Sequence, residues 1–229
     1  FSYLFFSIYL LIIYSVRSRS NLKNPQGSTF GWLWLLPIVQ LFWVNMHIYF
    51  AIGPILFLFF LIDYIVNKNK FSIFNFQFSK LLIIGGLIIL ANLVNPNFVV
   101  GALYPFKVLN NYGYSVAENS SLFFLAKYFG SWAPQDKLFL MSFFILIGSF
   151  VLDFWQTKKL LFWLKTRIFD LLLITMMAIL SFKMQRNIPL FALSLWPVMA
   201  KNLSEIFNLK KLLYFFTVLV LAVSIFVVV

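Results

Sequence analysis

The sequence predicts an all-α membrane protein, and three observations lead to that fold class. Hydrophobic residues make up 62% of the chain and charged residues only 10%, whereas an ordinary soluble domain carries about 25% charged residues. Several apolar runs approach or exceed the roughly 18 to 20 residues that a helix needs to cross a bilayer. The basic residues stand in short clusters between these runs. We therefore expect a polytopic helix bundle in which residues 1–229 form a single transmembrane domain.

Eight membrane crossings follow from the apolar runs. In chain order they lie at 3–16, 30–45, 48–66, 81–94, 138–152, 168–182, 188–200 and 212–229. The chain begins inside the first run and ends inside the last one. We therefore expect an excerpt of a longer protein, with a truncated first crossing.

The stretch from Phe30 to Val66 needs a turn. As a single helix it would be roughly 55 Å long, and the hydrocarbon core is only about 30 Å thick. A polar pair, Asn45 and His47, interrupts it near its middle. We expect the chain to fold back there, so that the basic clusters before and after the stretch lie on the same side of the membrane. A plainer interpretation gives the pair no role beyond that of a polar hairpin tip.

With this turn the basic residues divide unevenly between the two sides. Four clusters fall on one side, and the other side has only Lys107, Lys127, Lys137, Lys183 and Arg186. Basic loops of membrane proteins tend to face the cytoplasm, so the clusters are predicted to be cytoplasmic. The net charge of +12 is thus explained by orientation, and no nucleic-acid partner is expected.

The few acidic residues fall into two groups. Most of them lie beside basic residues at predicted cytoplasmic helix ends, where we expect ion pairs. These are Asp63, Asp153, Asp170 and Glu205. The other two, Glu118 and Asp136, are the outer carboxylates. No charged residue is predicted deep inside a crossing, which argues against a transporter.

One long segment, about 95–136, is predicted to be external. Loops of such length without structure of their own are uncommon in compact domains. This segment is rich in Tyr, Phe and Trp, which argues against disorder. We therefore expect it to contain short helices that lie in the membrane interface.

Polar residues collect on the predicted outer side in three clusters. Asn45 and His47 mark the turn, and Asn92 and Asn95 lie at the end of the fourth crossing. Arg186 and Asn187 lie in the short connection before the seventh. A guanidinium at this depth can bind a phosphate through two parallel hydrogen bonds. It can equally bind lipid headgroups as an ordinary interfacial arginine. Both interpretations stay open.

Several kinds of chemistry lack their usual residues. The chain has no cysteine and one histidine, so no metal-ligating set is predicted. It has no glycine-rich phosphate loop, no HExxH and no GxSxG motif. No cofactor is evident, and a divalent cation has no support in the sequence.

Three stretches resemble signatures of bacterial multipass glycosyltransferases of the C-type superfamily, similar to the polyprenyl-phosphate-sugar-dependent mannosyltransferases. They are LFWVNMHIYFAIGPIL, LANLVNPNFVVGALYPF and RNIPLFALSLWPVMA. The family pattern is a Trp-x-Asn-x-His turn, an Asn-Pro-Tyr-Gly helix end and an Arg-Asn-x-Pro-Leu-Phe helix start. The chain departs from it at Ile48 and Tyr49, where small residues are expected, and at Asn97 and Phe98, where Tyr-Gly is expected.

The resemblance implies transfer of a sugar from a polyprenyl-phosphate carrier to an acceptor at the outer face of the plasma membrane. The residues that it assigns to substrate binding are Asn45, His47, Asn95, Arg186 and Asn187, with Arg186 on the carrier phosphate. The catalytic aspartate of such enzymes lies in a first external loop, which is expected to precede this excerpt. The catalytic residue is therefore unknown, and Glu118 is a secondary candidate.

Two other functions stay open. A transporter or flippase of a lipid-linked substrate would use the same external phosphate-binding features. A non-catalytic membrane protein would turn its outer polar clusters toward lipid headgroups. The sugar, the acceptor and the oligomeric state are not predicted.

Overall fold

The computed structural model of the protein describes residues 1–20, 30–67, 76–110 and 117–206. These ranges are helical with short connections and contain no strand, which confirms the all-α class. The α-helices within them are α1 (Ser2–Ser20), α2 (Leu35–Met46), α3 (Ile52–Asn67), α4 (Phe76–Ala91), α5 (Phe98–Asn110), α6 (Leu122–Phe129), α7 (Pro134–Thr157), α8 (Leu160–Lys183) and α9 (Ile188–Ile206). The predicted crossing at 212–229 lies outside the described residues.

Two helical stretches in the described part of the chain are long and apolar enough to cross a membrane. They are Ile48–Asn67, which includes a 3-10 turn ahead of α3, and Pro134–Thr157, which is α7. Shorter apolar helices cover parts of α1, α2, α4 and α5. Every predicted crossing between residues 3 and 200 overlaps a helix, whereas the number of membrane crossings stays a prediction.

The start of α8 differs most from the predicted boundaries. The sequence predicts a crossing from residue 168, whereas α8 begins at Leu160. The sequence predicts a loop before residue 168 because Lys165 and Arg167 are charged. In the structure the charge of Arg167 is paired with Asp153, so it does not have to leave the helix for water. As a consequence Asp170 lies near the middle of α8, whereas the sequence predicts it close to the start of a helix.

The segment predicted to hold short helices contains α5 and α6. Serine is a favoured N-cap, and Ser121 Oγ accepts a hydrogen bond from the Phe124 N–H at 3.2 Å at the start of α6. At its end Gly130 adopts a left-handed conformation with φ of 68°, in which glycine avoids the strain of a side chain. The short helices are confirmed, and their position in a membrane interface stays a prediction.

Two compact units make up the chain, Phe1–Ser115 and Val116–Val229. The first contains α1 to α5, and the second contains α6 to α9. Their boundary lies within the segment predicted to be external. That 1–229 is one transmembrane domain stays a prediction.

The core of the first unit lies among α1, α2, α3 and α4. Both α2 and α3 pack against α1 and against α4. Trp43 on α2 is fully buried, and its indole N–H donates to Ser2 Oγ at 3.2 Å. Its ring packs on those of Phe5 and Tyr9. A large aromatic side chain therefore fixes α2 against α1.

In the second unit α7, α8 and α9 pack against one another, and α6 lies on α8. Aromatic rings fill the bundle near the α8–α9 connection. Phe139 packs edge to face against Phe182 and Phe191, with ring centroids 5.0 and 4.9 Å apart, and Phe143 contacts the same two rings. Such pairs contribute free energy beyond that of the apolar area they bury, so these contacts stabilise the part of the bundle next to the α8–α9 connection.

Candidate functional site

The helical stretch around His47 is interrupted as predicted. α2 ends at Met46, and His47 has an extended backbone before a 3-10 turn at Ile48–Ala51. A continuous helix would hold residues 40 and 53 roughly 20 Å apart. In the structure a Cβ on Gly53 would overlap Oε1 of Gln40. The chain therefore folds back at the predicted turn.

His47 helps to form this turn. Its Nδ1 accepts a hydrogen bond from the backbone N–H of Tyr49 at 3.3 Å, and its ring lies 4.9 Å from the Tyr49 ring. Both His47 and Asn45 are exposed. The structure therefore supports the plainer interpretation, in which the pair forms a polar hairpin tip. Because both side chains are exposed, a role in substrate binding also stays open.

The first two predicted polar clusters meet within the first unit. The Asn45 amide donates to the carbonyl of Val94 at 2.8 Å, directly before Asn95. Asn95 in turn donates to the carbonyls of Asn92 and Phe98 at 2.8 and 2.9 Å. The Asn95 side chain therefore shapes the turn that leads into α5.

That turn has a strained backbone and little free space. Phe98 has a positive φ of 46°, which is uncommon for a residue other than glycine. Asn95 Oδ1 accepts the backbone N–H of Asn97 at 2.8 Å. A Cβ on Gly101 would overlap this oxygen, so the glycine allows α5 to approach the asparagine.

A buried polar network lies beneath these residues, and only Asn92 in it belongs to a predicted cluster. Gln40 Nε2 donates to Asn92 Oδ1 at 2.6 Å and to the carbonyl of Phe50 at 3.0 Å. Tyr9 donates to Gln40 Oε1 at 2.7 Å. Gln40 is fully buried. The sequence analysis did not predict this network. The signal that could have indicated it is the single glutamine within the apolar run 30–43.

The third predicted cluster lies in the connection between α8 and α9. A 3-10 turn covers Gln185–Asn187, and α9 begins at Ile188 with Pro189 in its first turn. Asn187 is 3% exposed and donates to the carbonyl of Leu180 at 2.9 Å. Arg186 is half-buried. The Asn187 side chain is thus held in the interior of the second unit, whereas Arg186 is partly accessible at its surface.

Gln185 ties this turn to two other parts of the second unit. Its side chain donates to Asp136 Oδ1 at 2.7 Å, and its backbone N–H donates to the carbonyl of Ser120 at 3.2 Å. The 3-10 turn Ala117–Asn119, which carries the exposed Glu118, packs against the Arg186 turn. The structure therefore brings Glu118 to the same end of the unit as Arg186 and Asn187.

Asp136 was expected to be an outer carboxylate at the end of the external segment, but its side chain is fully buried. The reason is that α7 begins at Pro134, ahead of the predicted 138. Asp136 then falls in the first turn, where the helix dipole stabilises a negative charge. Sequence reasoning missed Asp136 and Gln185 as parts of this site, since nothing in their spacing links them.

The predicted ion pairs of the acidic residues are confirmed where their side chains are described. Asp63 pairs with Arg17 at 3.0 Å, Asp153 with Arg167 at 2.6 Å, and Asp170 with Lys201 at 2.8 Å. The side chain of Glu205 lies outside the described part of the structure. Asp63 and Asp153 lie near the ends of α3 and α7, as predicted, whereas Asp170 lies near the middle of α8.

An anion is the ligand that the Arg186 turn is best able to bind. A guanidinium offers paired N–H donors to phosphate, and the start of α9 adds the positive end of a helix dipole. Within the described ranges, no group of three or more His, Asp or Glu side chains is placed to hold a metal ion. Comparison of the chain with protein-family models, with curated proteins and with solved structures found no match.

Proposed function

We propose that the protein is a polytopic membrane glycosyltransferase that takes a sugar from a polyprenyl-phosphate carrier and transfers it to an acceptor at the outer face of the plasma membrane. The Arg186 turn carries this proposal. Its guanidinium is half-buried at the start of a helix. Gln185 and Asn187 on either side are held by hydrogen bonds to Asp136 and Leu180.

The fixed turn favours a bound phosphate over transient contact with headgroups. Ordering the backbone of a turn on binding costs conformational entropy. The backbone around Arg186 is already ordered, because Gln185 and Asn187 are anchored, so this part of the cost is not incurred. The rings of Phe139, Phe182 and Phe191 pack together beside the α8–α9 connection that carries Arg186. Apolar walls below a phosphate site suit a lipid carrier.

The spacing of polar groups supports a membrane-spanning arrangement. On α7, Asp136 and Asp153 are separated by roughly 26 Å along the helix axis, which is close to the 30 Å or so of a hydrocarbon core. Both are buried and hydrogen-bonded. Between them α7 exposes large apolar side chains, among them Phe144 and Ile147. In the first unit, residues of α3 and α4 line an apolar groove.

The proposed topology can be tested directly because the chain has no cysteine. Single cysteines at His47, Glu118, Asn67 and Lys158 would stand at exposed positions. In intact cells a membrane-impermeant thiol reagent is expected to label His47→Cys and Glu118→Cys. Asn67→Cys and Lys158→Cys should react only after permeabilisation. Labelling of His47→Cys and Asn67→Cys from the same side would refute a crossing by α3.

Transfer of radiolabelled sugar from a panel of polyprenyl-phosphate sugars tests the activity itself, in membranes that contain the full-length protein. Arg186→Ala is expected to raise the Michaelis constant for the lipid donor by about tenfold to a hundredfold, because a charge-assisted hydrogen bond is lost. Arg186→Lys should recover only part of this loss, since lysine cannot bind in a bidentate way. His47→Ala tests the turn of the first unit in the same assay.

Lys127→Ala is the matched control, since it removes an outer basic residue from the exposed side of α6. Its donor kinetics should stay at the wild-type level. Unchanged kinetics in Arg186→Ala would remove this residue from the site. Absence of transfer from every donor would count against the transferase as a whole.

A transporter or flippase of a lipid-linked substrate is the second candidate, and one observation favours it. Asp170 is fully buried near the middle of α8, paired with Lys201. Ionisable residues at such depth are commonly functional in membrane proteins. Movement of a fluorescent polyprenyl-phosphate lipid across proteoliposomes, lost in Asp170→Asn, would decide for transport.

A further inference from the structure

His47 occupies the N-cap position of the 3-10 turn Ile48–Ala51. Its backbone is extended, with φ of −163° and ψ of 143°, and its Nδ1 accepts a hydrogen bond from the N–H of Tyr49 at 3.3 Å. The residues that usually cap helices in this way are serine, threonine, aspartate and asparagine. A histidine in their place differs in one respect, because its acceptor nitrogen can take up a proton near neutral pH.

The hydrogen bond from Tyr49 determines where the ring of neutral His47 carries its proton. A neutral imidazole has one N–H donor and one acceptor nitrogen. Because Nδ1 is the acceptor, the proton of the neutral ring is on Nε2. In the imidazolium both nitrogens are donors, so a protonated Nδ1 would direct one donor at another, the N–H of Tyr49.

We propose that His47 is an acid-sensitive cap of this turn: the neutral ring is bound to Tyr49, and protonation releases it. This inference does not depend on the proposed function. Under the proposed topology the turn lies at the outer face of the membrane, so the pH outside the cell sets the state of the cap.

The backbone of His47 stays anchored when the ring is released. Its N–H donates to the carbonyl of Trp43 at 3.1 Å, and its carbonyl accepts from the N–H of Phe50 at 3.2 Å. The carbonyl of Phe50 in turn accepts from the buried Gln40 at 3.0 Å. Protonation is therefore expected to free the imidazole and the Tyr49 N–H without unfolding the turn.

The helices α2, α3 and α5 pack against this turn, and they carry few charges. α2 has no charged residue. α3 has Asp63, which lies in its C-terminal half and is paired with Arg17, and α5 has Lys107 in its last turn. The other titratable side chains of the turn and these helices are Tyr49, Tyr64 and Tyr104. Within these elements, therefore, no carboxylate follows the turn closely enough in the sequence to hold an imidazolium in the closed cap.

The direction of the pH effect follows from the hydrogen bond. The closed cap binds a proton less readily than the released ring, because Nδ1 is already occupied. The closed state is therefore fully stabilised above the pH range in which a free histidine titrates, and it loses stability as the pH falls through that range. We expect a loss of about tenfold in the closing equilibrium, since one hydrogen bond is replaced by two donors that face each other.

Hydrogen exchange at the Tyr49 amide reports the state of the cap. It can be followed by NMR on the purified protein in nanodiscs, with tyrosine labelled by ¹⁵N. The protection of the amide is its intrinsic exchange rate divided by the measured rate, which removes the pH dependence of exchange itself. Between about pH 8 and pH 5 the protection in the wild type should fall by about tenfold.

His47→Asn is the matched variant, because an asparagine side chain also accepts the N–H two residues ahead and does not titrate. Its Tyr49 protection should equal that of the wild type at the higher pH and stay there at the lower pH. His47→Ala should show low protection at both. The Phe124 amide is an internal control, since it donates at 3.2 Å to Ser121 Oγ, a cap that gains no charge in this range.

The histidine ring provides a second readout. The chain has one histidine, so a sample with ¹⁵N-labelled histidine shows its two ring nitrogens without overlap. At the higher pH the proton should be on Nε2, and a ring with its proton mainly on Nδ1 would overturn the proposal. Tyr49 protection that does not change with pH in the wild type would overturn it too. So would an equal fall in the wild type and in His47→Asn, because another group is then the cause.

Discussion

Alanine at Gly53 is expected to destabilise the first unit by about 2–4 kcal/mol, because the new methyl group has no room. Its Cβ would overlap Gln40 Oε1 and lie 3.0 Å from the Tyr9 ring. Neither side chain can move aside freely. Gln40 is held by Tyr9, Phe50 and Asn92 through hydrogen bonds of 2.7, 3.0 and 2.6 Å. Unfolding of the purified protein by SDS, followed by circular dichroism, measures the effect.

Two glycines on α4, Gly85 and Gly86, provide matched controls for Gly53 on α3. A Cβ on Gly86 meets nothing within 4 Å, whereas one on Gly85 comes within 2.9 Å of the Phe57 ring. Gly86→Ala should therefore leave stability unchanged or raise it by up to about 1 kcal/mol, since alanine favours helix. The destabilisation caused by Gly85→Ala should lie between the effects of Gly53→Ala and Gly86→Ala, because the single Phe57 ring can shift. Equal effects at all three positions would contradict the close approach at Gly53.

A double-mutant cycle shows whether Gln40 is the group that the methyl meets. Gln40→Ala alone should be costly because it leaves the Asn92 and Tyr9 side chains without their partner. In the Gly53→Ala background the same change also relieves the overlap and should cost less. Additive effects would mean that the two residues are not in contact.

The helices themselves could largely be predicted from the sequence, because apolar runs and charge clusters mark them directly. The turn at Asn45 and His47 followed from three features of the sequence. The run 30–66 is too long for one crossing, the polar pair interrupts it near its middle, and a turn there puts the flanking basic clusters on the same side. The structure places the break at Met46 and His47. The start of α8 could not be predicted in the same way. A charged residue such as Arg167 indicates a loop in the sequence, but in the structure its charge is paired with Asp153 on another helix.

The candidate site could also be predicted from the sequence only in part. Arg186 and Asn187 stand out as polar residues between apolar runs, and Glu118 as an acid in an aromatic segment. The anchors Gln185 and Asp136 are far apart in the sequence and meet only through the packing of α7 against α9. A single sequence contains no signal for such a contact, because it depends on tertiary structure.

Asparagine at Asp153 is expected to cost about 3–5 kcal/mol, because it leaves the Arg167 charge buried without compensation. Both side chains are only 2% exposed. Asp153 accepts from Arg167 Nη2 at 2.6 Å, from Arg167 Nε at 2.8 Å and from the Trp163 indole at 2.7 Å. The cost should appear as a lower SDS midpoint for unfolding of the purified protein.

Asp170→Asn is the matched control, and it should cost only about 1 kcal/mol. The difference lies in the partner: the Lys201 side chain is 30% exposed, so its ammonium can turn toward water when the carboxylate is gone. Arg167 has no such route. Replacing both members of the buried pair, as in Asp153→Leu with Arg167→Met, should restore most of the lost stability, since no lone charge is left inside.

The comparison of the two asparagine variants also bears on the surroundings of the second unit. A partly exposed lysine next to water can rescue Asp170→Asn, but one next to hydrocarbon cannot turn outward without cost. If Asp170→Asn proves as damaging as Asp153→Asn in nanodiscs, while the two differ in detergent that admits water, then Lys201 lies at the depth of the lipid chains. Equal and small costs in both settings would mean that neither ion pair is desolvated, contrary to the burial of Asp153 and Arg167.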